Sequence, residues 1–234
     1  MTKSTPLRCS AFLAVLVAAL AGAGAAWAQD SDWTVSGEVG VVSDYRYRGL
    51  SLSGTDPALQ AGLTVEHTTG VYADVYASSV EEYGIGLDGD GAKTEFTLTS
   101  GWAGTWQGLE VDAAVSYIAY PDGSGVNYFE FPLEVARTVG DARLSAGFAY
   151  APAQDALGDE DNGYVWLGLD YGRVDWPFAL TARVGREDGA YAPGGKTDWT
   201  LGAEVPLGGL SLGLAWTDSD VDDGALIASV FARF

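Results

Sequence analysis

Two arginines and two tyrosines alternate near the start of the chain and form its densest group of side chains with chemical potential. Tyr45, Arg46, Tyr47 and Arg48 follow one another directly. Such interleaving occurs in nucleic-acid patches, in ligand clamps and at the ends of amphipathic strands. The chain carries 12 basic and 32 acidic residues, with a formal net charge of -20. Nucleic acid is excluded as a partner, because its binding depends on neutralising phosphates with Lys and Arg.

Few residues of the chain are suited to catalysis. Nucleophilic hydrolysis usually needs a base beside a serine or threonine, most often a histidine, and the single histidine, His67, stands at an apolar position beside a short turn. Glu110 and Asp112 share one face of a strand, but any polar strand face has this spacing. The segment from Asp218 has the spacing that opens a calcium loop, yet Asp223 stands where such a loop needs glycine. The sequence predicts no enzyme, no metal site and no cofactor.

The first residues have the composition of a secretory signal. Two basic residues precede a short apolar run, which fades before Ala26-Trp27-Ala28, a small-x-small pattern typical of a signal-peptidase site. The run is shorter than the ~20 residues that a membrane helix needs. We therefore expect residues 1–28 to be a signal peptide and residues 29–234 to form one domain.

The rest of the chain alternates between apolar and polar residues with the two-residue period of β-strands. No 3.6-residue periodicity is sustained, and no apolar run approaches the length of a membrane helix. Twelve segments are predicted as strands. Their apolar faces lie within residues 35–47, 59–65, 71–75, 96–102, 109–117, 129–135, 144–150, 165–171, 178–184, 199–205, 210–216 and 226–234.

Charge placement and loop lengths favour lipid outside these strands. No acidic residue stands at an apolar-parity position within them, as expected where a charge near the bilayer midplane costs ~2–4 kcal/mol. Short periplasmic turns alternating with longer external loops are typical of outer-membrane barrels. The connections near 67–70, 104–108, 138–142, 172–177 and 206–209 are short, and those near 44–57, 80–93, 120–127, 152–163, 186–197 and 217–224 are mostly longer.

Aromatic residues on the apolar face concentrate at the strand ends, as in the two interfacial girdles of a membrane barrel. They are Trp33, Trp102, Tyr171, Phe178 and Phe234 toward the turns, and Tyr45, Tyr47, Tyr117, Phe129, Tyr150, Trp199 and Trp216 toward the loops. The sequence therefore predicts an all-β fold, a single antiparallel transmembrane β-barrel of about twelve strands in the cell outer membrane. Pro132 fits worst, and we expect a bulge there because proline removes a ladder donor.

The polar strand faces would line the interior of this barrel. The charged interior positions are Glu38, Glu66, Asp74, Glu95, Glu110, Asp112, Glu130, Glu134, Arg143, Asp170, Arg183 and Glu204. An acidic excess in a narrow pore favours cations, so we predict a porin-like channel for passive diffusion of small polar solutes or ions, with a preference for cations.

Two alternatives to this channel stay open. One is a closed barrel whose acidic external loops bind a partner or stabilise the envelope, since twelve strands lie between filled and open barrels. The other is a soluble periplasmic β-protein, since soluble sandwiches also alternate.

The opening group of arginines and tyrosines lies at the outer end of the first predicted strand. By parity, Tyr45 and Tyr47 belong to the outer aromatic girdle, whereas Arg46 and Arg48 point into the pore mouth or the first external loop, close to Asp44. These arginines either interrupt the cation path or anchor the first loop to the wall, and we favour the anchor. Outside the pore, acidic loops are expected to face lipid and lipopolysaccharide, bridged by divalent cations.

The opening segment resembles the start of the TorF-like family of outer-membrane porins. The matching block is Val42-Ser43-Asp44-Tyr45-Arg46-Tyr47-Arg48-Gly49-Leu50-Ser51, followed by Asp56-Pro57-Ala58-Leu59-Gln60-Ala61-Gly62 and Gly70-Val71-Tyr72-Ala73. Weaker landmarks extend the resemblance to the terminal Phe234. The resemblance implies an outer-membrane barrel and assigns no solute or binding residue. Pro132 and the acidic loops depart from the family's pattern.

Overall fold

Twelve long strands form one closed antiparallel barrel. The computed structural model describes residues 32–86 and 91–234, so the predicted signal peptide and part of the second external loop lie outside the described residues. Within the described residues, no helix is long and apolar enough to cross a bilayer. The barrel strands are β1 (Trp33–Val42), β2 (Ala58–His67), β3 (Val71–Tyr83), β4 (Ala92–Trp106), β5 (Leu109–Ala119), β6 (Tyr128–Val139), β7 (Ala142–Ala151), β8 (Asn162–Tyr171), β9 (Ala179–Gly189), β10 (Ala192–Leu207), β11 (Leu210–Ser219) and β12 (Ala225–Arg233).

The barrel closes because its first and last strands pair. Each strand pairs with its neighbour in sequence, and β1 also pairs with β12, with Glu38 opposite Arg233 and Val41 opposite Val230. Closure leaves no unpaired strand edge, and an open edge is not tolerated in lipid. The all-β class, the antiparallel arrangement and the twelve strands predicted from the sequence are confirmed.

The outer surface of the barrel is an apolar belt. Leu144, Leu167, Leu201, Leu214 and Leu226 are each more than half exposed, and all stand at positions that the alternation assigned to the apolar face. A continuous exposed belt of this kind is stable in hydrocarbon and not in water. The chain is therefore an outer-membrane β-barrel, and the alternative of a soluble periplasmic protein is wrong.

Replacing Leu214 with arginine tests the depth of this belt. Leu214 lies in the middle of β11 and Leu210 at its turn end, on the same outward face. We expect Leu214→Arg to lower the free energy of unfolding by ~2–4 kcal/mol and Leu210→Arg by only ~0–1 kcal/mol, because the cost of a charge falls toward the interface. Urea unfolding in lipid vesicles measures both values. Equal losses would contradict the assignment of Leu214 to the membrane interior.

One predicted external loop is instead a tight hairpin. The sequence predicts a longer connection over 186–197, but β9 and β10 continue until only residues 190–191 separate them. Gly194 and Gly195, with φ of 92° and 81°, adopt left-handed conformations within β10. A glycine-rich composition suggests a loop, whereas here the glycines bend a ladder that continues. The inward faces of β9 and β10 therefore extend farther than the sequence predicts.

Pro132 lies in an unshifted ladder, so the predicted bulge is wrong. It stands opposite Ala149 on β7 in regular register. Toward β5, the pairing of Glu130 with Ser116 and of Leu133 with Ala113 keeps the same register on both sides of the proline. The missing N–H interrupts the ladder only locally, and the surrounding pairs hold the strand in place.

The first external loop turns into the barrel. β1 ends at Val42, and Arg46–Tyr47 pairs with Leu50–Ser51 in a small hairpin. Arg48 and Gly49 form its two-residue turn with φ of 50° and 83°, the left-handed values that a type I′ turn needs at both positions. Arg48 thus occupies the hairpin tip.

The inward turn corrects the predicted positions of Tyr45 and Tyr47. The Tyr45 hydroxyl donates a hydrogen bond to Glu95 Oε1 at 2.9 Å, and the Tyr47 hydroxyl donates one to Glu130 Oε2 at 3.4 Å. Both tyrosines therefore face the inner wall and not the outer aromatic girdle. Parity assigns a face only while the strand continues, and β1 ends three residues before Tyr45.

Short elements also order other external loops. Ile85–Gly86 pairs with Gly123–Ser124, which joins the second loop to the third, and a 3₁₀ turn spans Asp155–Leu157.

At the opposite rim, His67 packs against Trp33 with ring centroids 4.6 Å apart. Its ring Nδ1 lies 2.8 Å from the Thr69 hydroxyl, so these contacts give His67 a structural role in the periplasmic turn.

Candidate pore and the inward first loop

The tip of the first-loop hairpin is held by a buried ion network. Arg48 Nη2 lies 2.7 Å from Glu130 Oε2 on β6, and Arg48 Nη1 lies 2.7 Å from Glu187 Oε1 on β9. Lys196 Nζ on β10 lies 2.7 Å from the second oxygen of Glu187. These four side chains are at most 7% exposed. Two cations and two carboxylates balance one another, which is the condition under which buried charges are tolerated.

Arg48 remains charged in this setting. Burial by itself disfavours the guanidinium, but Tyr47, Glu130 and Glu187 together raise the pKa of Arg48 above its usual range. Its guanidinium carbon also lies 4.3 Å from the ring centroid of Tyr164 and 4.7 Å from that of Tyr47. Arg48 therefore joins the loop to the wall through two ion pairs and the cation–π contact with Tyr164, while its contact with Tyr47 lies within the loop.

One further contact, from Tyr45 to Glu95, holds the base of the hairpin. Glu95 on β4 is buried and accepts hydrogen bonds from the hydroxyls of Tyr45 at 2.9 Å and Tyr120 at 2.6 Å. Together with the contacts of Arg48 to β6 and β9, this attaches the first loop to three separate strands of the inner wall.

Arg46 connects the first external loop to the last. Its Nε donates to Asp44 Oδ2 at 2.7 Å, its Nη1 donates to the Asp223 carbonyl at 2.7 Å, and Nη1 lies 3.6 Å from Asp222 Oδ2. The predicted group of Asp44, Arg46 and Arg48 therefore lies in the first loop, with both arginines in ion pairs.

A cavity of about 470 Å³ lies against this hairpin inside the barrel. The loop contributes Tyr47 and Arg48 to its lining, and the wall contributes Glu130, Trp166, Arg183 and Asp198, together with the hydroxyl groups of Ser116, Thr200 and Thr217. Since the lining is polar and charged, the cavity suits hydrated or hydrogen-bonding solutes.

Arg183 and Asp198 differ from the other charged groups of the cavity. Among the described residues, no carboxylate lies within 4.0 Å of the Arg183 guanidinium, whose carbon lies 4.5 Å from the ring centroid of Trp166. Asp198 is 4% exposed. Its Oδ1 accepts a hydrogen bond from the Tyr164 hydroxyl at 3.1 Å, whereas its Oδ2 has no partner in the described part of the chain.

Two arginine clusters occupy the periplasmic half of the interior. Arg143 lies 2.8 Å from Glu110, 2.9 Å from Glu134 and 3.6 Å from Asp170, each measured between ion-pair atoms. On the seam between β1 and β12, Arg233 lies 3.1 Å from Glu38 and 2.7 Å from Glu204. These side chains are partly exposed.

The remaining predicted interior residues are more isolated. Asp112 accepts a hydrogen bond from the Tyr72 hydroxyl at 2.8 Å. Asp74 and Glu66 share the inward parity of their strands, and neither forms an ion pair within 4.0 Å among residues 32–86 and 91–234. The structure thus brings most of the predicted interior charges together in pairs and clusters and leaves these two carboxylates apart.

Four charged residues of the interior escape the sequence prediction. Glu187 and Lys196 lie in the segment that is predicted as a loop, Asp198 directly follows that segment, and Arg233 lies next to the final residue. Parity could have found them, because Glu187 continues the inward series of Arg183, and Lys196 continues that of Asp198. The glycines within β10 resemble loop residues, so the alternation was not followed through this segment.

In the acidic segment of the last external loop, Asp222 lies 3.6 Å from Arg46 of the first loop. In the described part of the chain, no group of three or more His, Cys, Asp or Glu side chains is arranged to hold a metal ion.

The barrel is similar to those of solved porins. One is the KdgM porin in complex with disordered oligogalacturonate, at TM-score 0.56 and 8% identity over 86% of this chain and 97% of that chain. Another is the NanC porin, at TM-score 0.52 and 9% identity over 86% of this chain and 98% of that chain. At these identities the similarity demonstrates a shared fold. Comparison with curated protein sequences finds no significant match.

A protein-family model identifies the family of the chain. The model of a bacterial protein of unknown function, Gcw_chp, matches residues 26–232. This match covers nearly the whole chain, although it does not carry the TorF-like name. Because the family model matches residues 26–232, this chain with its closed barrel and apolar outer belt belongs to the bacterial family Gcw_chp.

Proposed function

We propose that this protein is a porin-like channel for passive diffusion of small polar solutes and ions, with the first external loop as its constriction. One observation carries the proposal: the hairpin tip is fixed by Arg48 across the lumen, directly above a polar cavity of about 470 Å³. In a channel, binding must be favourable enough for entry and weak enough for exit. A narrow, charged passage of this kind fits small hydrated solutes.

Two observations support a channel over a catalyst. The barrel shares its fold with porins, one of which is in complex with disordered oligogalacturonate. The single histidine is engaged with Trp33 and Thr69 at the periplasmic rim, away from the cavity. We infer that the protein is not an enzyme.

We further infer that the channel prefers cations. Interior carboxylates outnumber interior basic side chains even after Arg48, Arg143, Lys196 and Arg233 are paired with them. Arg48, Arg143 and Arg233 each contact two or more carboxylates. Lys196 contacts a carboxylate that Arg48 also contacts. An excess of negative charge around a narrow path lowers the energy of a passing cation.

Conductance in planar bilayers tests the channel and its selectivity together. We expect discrete conductance steps and, in a KCl gradient, a reversal potential of the sign that marks K⁺ as more permeable than Cl⁻. A reversal potential of the opposite sign would refute the preference for cations. Unheated protein that migrates differently from boiled protein on a detergent gel serves as the folding control.

A closed barrel remains the second candidate, and the buried hairpin across the lumen favours it. Protein that is folded by the gel control but silent in the bilayer would establish this candidate and end the channel proposal. The acidic external loops would then be the site to examine for partners.

Three parts of the sequence interpretation complete the proposal. Residues 1–28 serve as a signal peptide, which accords with the outer-membrane location. The acidic external loops face lipopolysaccharide, with divalent cations between carboxylates and phosphates. The TorF-like name describes the family to which the opening block of the sequence is similar.

A further inference from the structure

The cavity presents two opposite charges that do not neutralise each other. In the ladder between β9 and β10, Arg183 stands opposite Thr200, and Gly185 stands opposite Asp198. Arg183 and Asp198 are therefore diagonal neighbours, whose Cα atoms are about 7–8 Å apart in an antiparallel pair. Their head groups are not within ion-pair distance. Both side chains line the cavity of about 470 Å³, where Asp198 Oδ2 is buried without a protein partner among the described residues.

The surroundings hold the two groups in this arrangement. The Tyr164 hydroxyl donates to Asp198 Oδ1 and leaves Oδ2 without a partner among residues 32–86 and 91–234. A Cβ at Gly185 would overlap the Tyr164 hydroxyl, so glycine at this position lets the tyrosine reach Asp198. The Arg183 guanidinium lies over Trp166, which fixes its plane while its edge remains available for hydrogen bonds.

The other charges of the cavity are internally balanced. Arg48 is paired with Glu130 and Glu187, Lys196 is paired with Glu187, and Arg46 is paired with Asp44. Local neutrality favours a solute with no net charge over a simple cation or anion. Arg183 offers donors to an anionic group, and Asp198 offers an acceptor to a cationic donor.

We propose that this cavity is a binding site for small zwitterionic solutes of the amino-acid class. Arg183 receives the carboxylate and the Asp198 side chain receives the ammonium group, while the hydroxyls of Thr200, Thr217 and Ser116 solvate the molecule in transit. The proposal rests on the channel function proposed above and assigns that channel a substrate class.

Glycine and its neutral isomer glycolamide provide a size-matched test. Both are added to the reconstituted channel, and the concentration that halves the ion current is measured for each. We expect glycine to block at a concentration lower by about tenfold or more, because charge-assisted hydrogen bonds are roughly twice as strong as neutral ones. Acetate and methylammonium, which each present one of the two charges, should block less well than glycine.

Two variants locate the effect. Asp198→Asn and Arg183→Gln should each raise the half-blocking concentration of glycine by about tenfold and leave that of glycolamide unchanged. Asp74→Asn removes the same charge from the interior away from the cavity and should not alter block by glycine. If Asp198→Asn does not fold by the gel control, the comparison of glycine with glycolamide on the unaltered protein still decides.

The possible failures are distinguishable. A conducting channel that glycine and glycolamide block equally, or that neither blocks, overturns the zwitterion site and leaves the channel function intact. Stronger block by xylitol than by glycine assigns the cavity to hydroxyl-rich solutes and also overturns the proposal. A folded but silent protein overturns the channel function and this site together.

Discussion

Replacing Arg48 with glutamine is expected to open the channel and to destabilise the barrel. Glu130 and Glu187 would lose their shared cation while remaining buried, and breaking a buried pair from one side costs ~3–5 kcal/mol. Without the tip contact, the hairpin would keep the long hydrogen bond of Tyr47 to Glu130 and the contacts of Tyr45 and Arg46 at its base. Unitary conductance should therefore rise, and the free energy of unfolding in urea should fall.

A matched substitution separates this effect from the loss of a positive charge. Arg186 lies near the same rim, is half exposed and approaches Asp220 at 3.8 Å. Exposed pairs contribute ~0–1 kcal/mol, so Arg186→Gln should change neither stability nor conductance appreciably. Combining Arg48→Gln with Glu130→Gln should restore part of the stability, because Glu187 stays paired with Lys196 and no unpaired charge is left in the network, while conductance stays high. Unchanged conductance in the Arg48 variant would contradict the role of the loop as the constriction.

Ion selectivity is expected to change in opposite directions within the Arg143 cluster. Arg143→Gln removes a cation that lies between Glu110, Glu134 and Asp170, so the permeability ratio of K⁺ to Cl⁻ should rise. Glu110→Gln combined with Glu134→Gln should lower it. A unit charge about 4 Å from the ion path shifts the energy of K⁺ and that of Cl⁻ by ~1 kcal/mol each in opposite directions in bulk water, which corresponds to about a thirtyfold change in the ratio before screening. Reversal potentials at about 0.1 M salt, where the Debye length is ~10 Å, measure both changes.

The control for this prediction is an arginine one position away in the strand, on the outer face of the barrel. Arg137 is exposed and has the outward parity of β6, opposite Leu144 and next to the Thr138–Arg143 pair. Arg137→Gln makes the same chemical change at the same level and should leave selectivity unchanged. An equal shift in both variants would indicate that surface charge and not the pore cluster determines the ratio. If neither member of the Arg143 cluster alters the reversal potential, the ion path does not pass these residues.

The strand pattern was readable because one physical requirement acts on every barrel residue. Leu144, Leu167 and Leu226 had to be apolar since each contacts hydrocarbon, and the two-residue period follows from strand geometry alone. The same rule placed Glu110, Glu134 and Arg143 on one face of the sheet, and the structure brings them together in ion pairs. It did so without predicting which of them pair, because pairing depends on neighbouring strands and their register.

The prediction was wrong where local composition and local parity stopped describing the backbone. Gly194 and Gly195 resemble loop residues, although they bend a continuous strand. Pro132 suggested a bulge, yet the ladders on both sides hold its register. Tyr45 and Tyr47 kept the correct alternation for an outer girdle, but β1 had already ended at Val42. In each case the deciding contacts come from other parts of the chain.

The sequence by itself determined the class of this protein: an antiparallel barrel with an apolar exterior, an acidic interior and an arginine-rich first loop. Only the tertiary structure decided that this loop folds inward, and that Arg48 meets Glu130 and Glu187 across separations of 82 and 139 residues. The physical reason is the range of the interactions. Alternation is a local property that hydrocarbon imposes on each strand, whereas a buried ion network forms only after closure of the barrel brings distant strands around one loop.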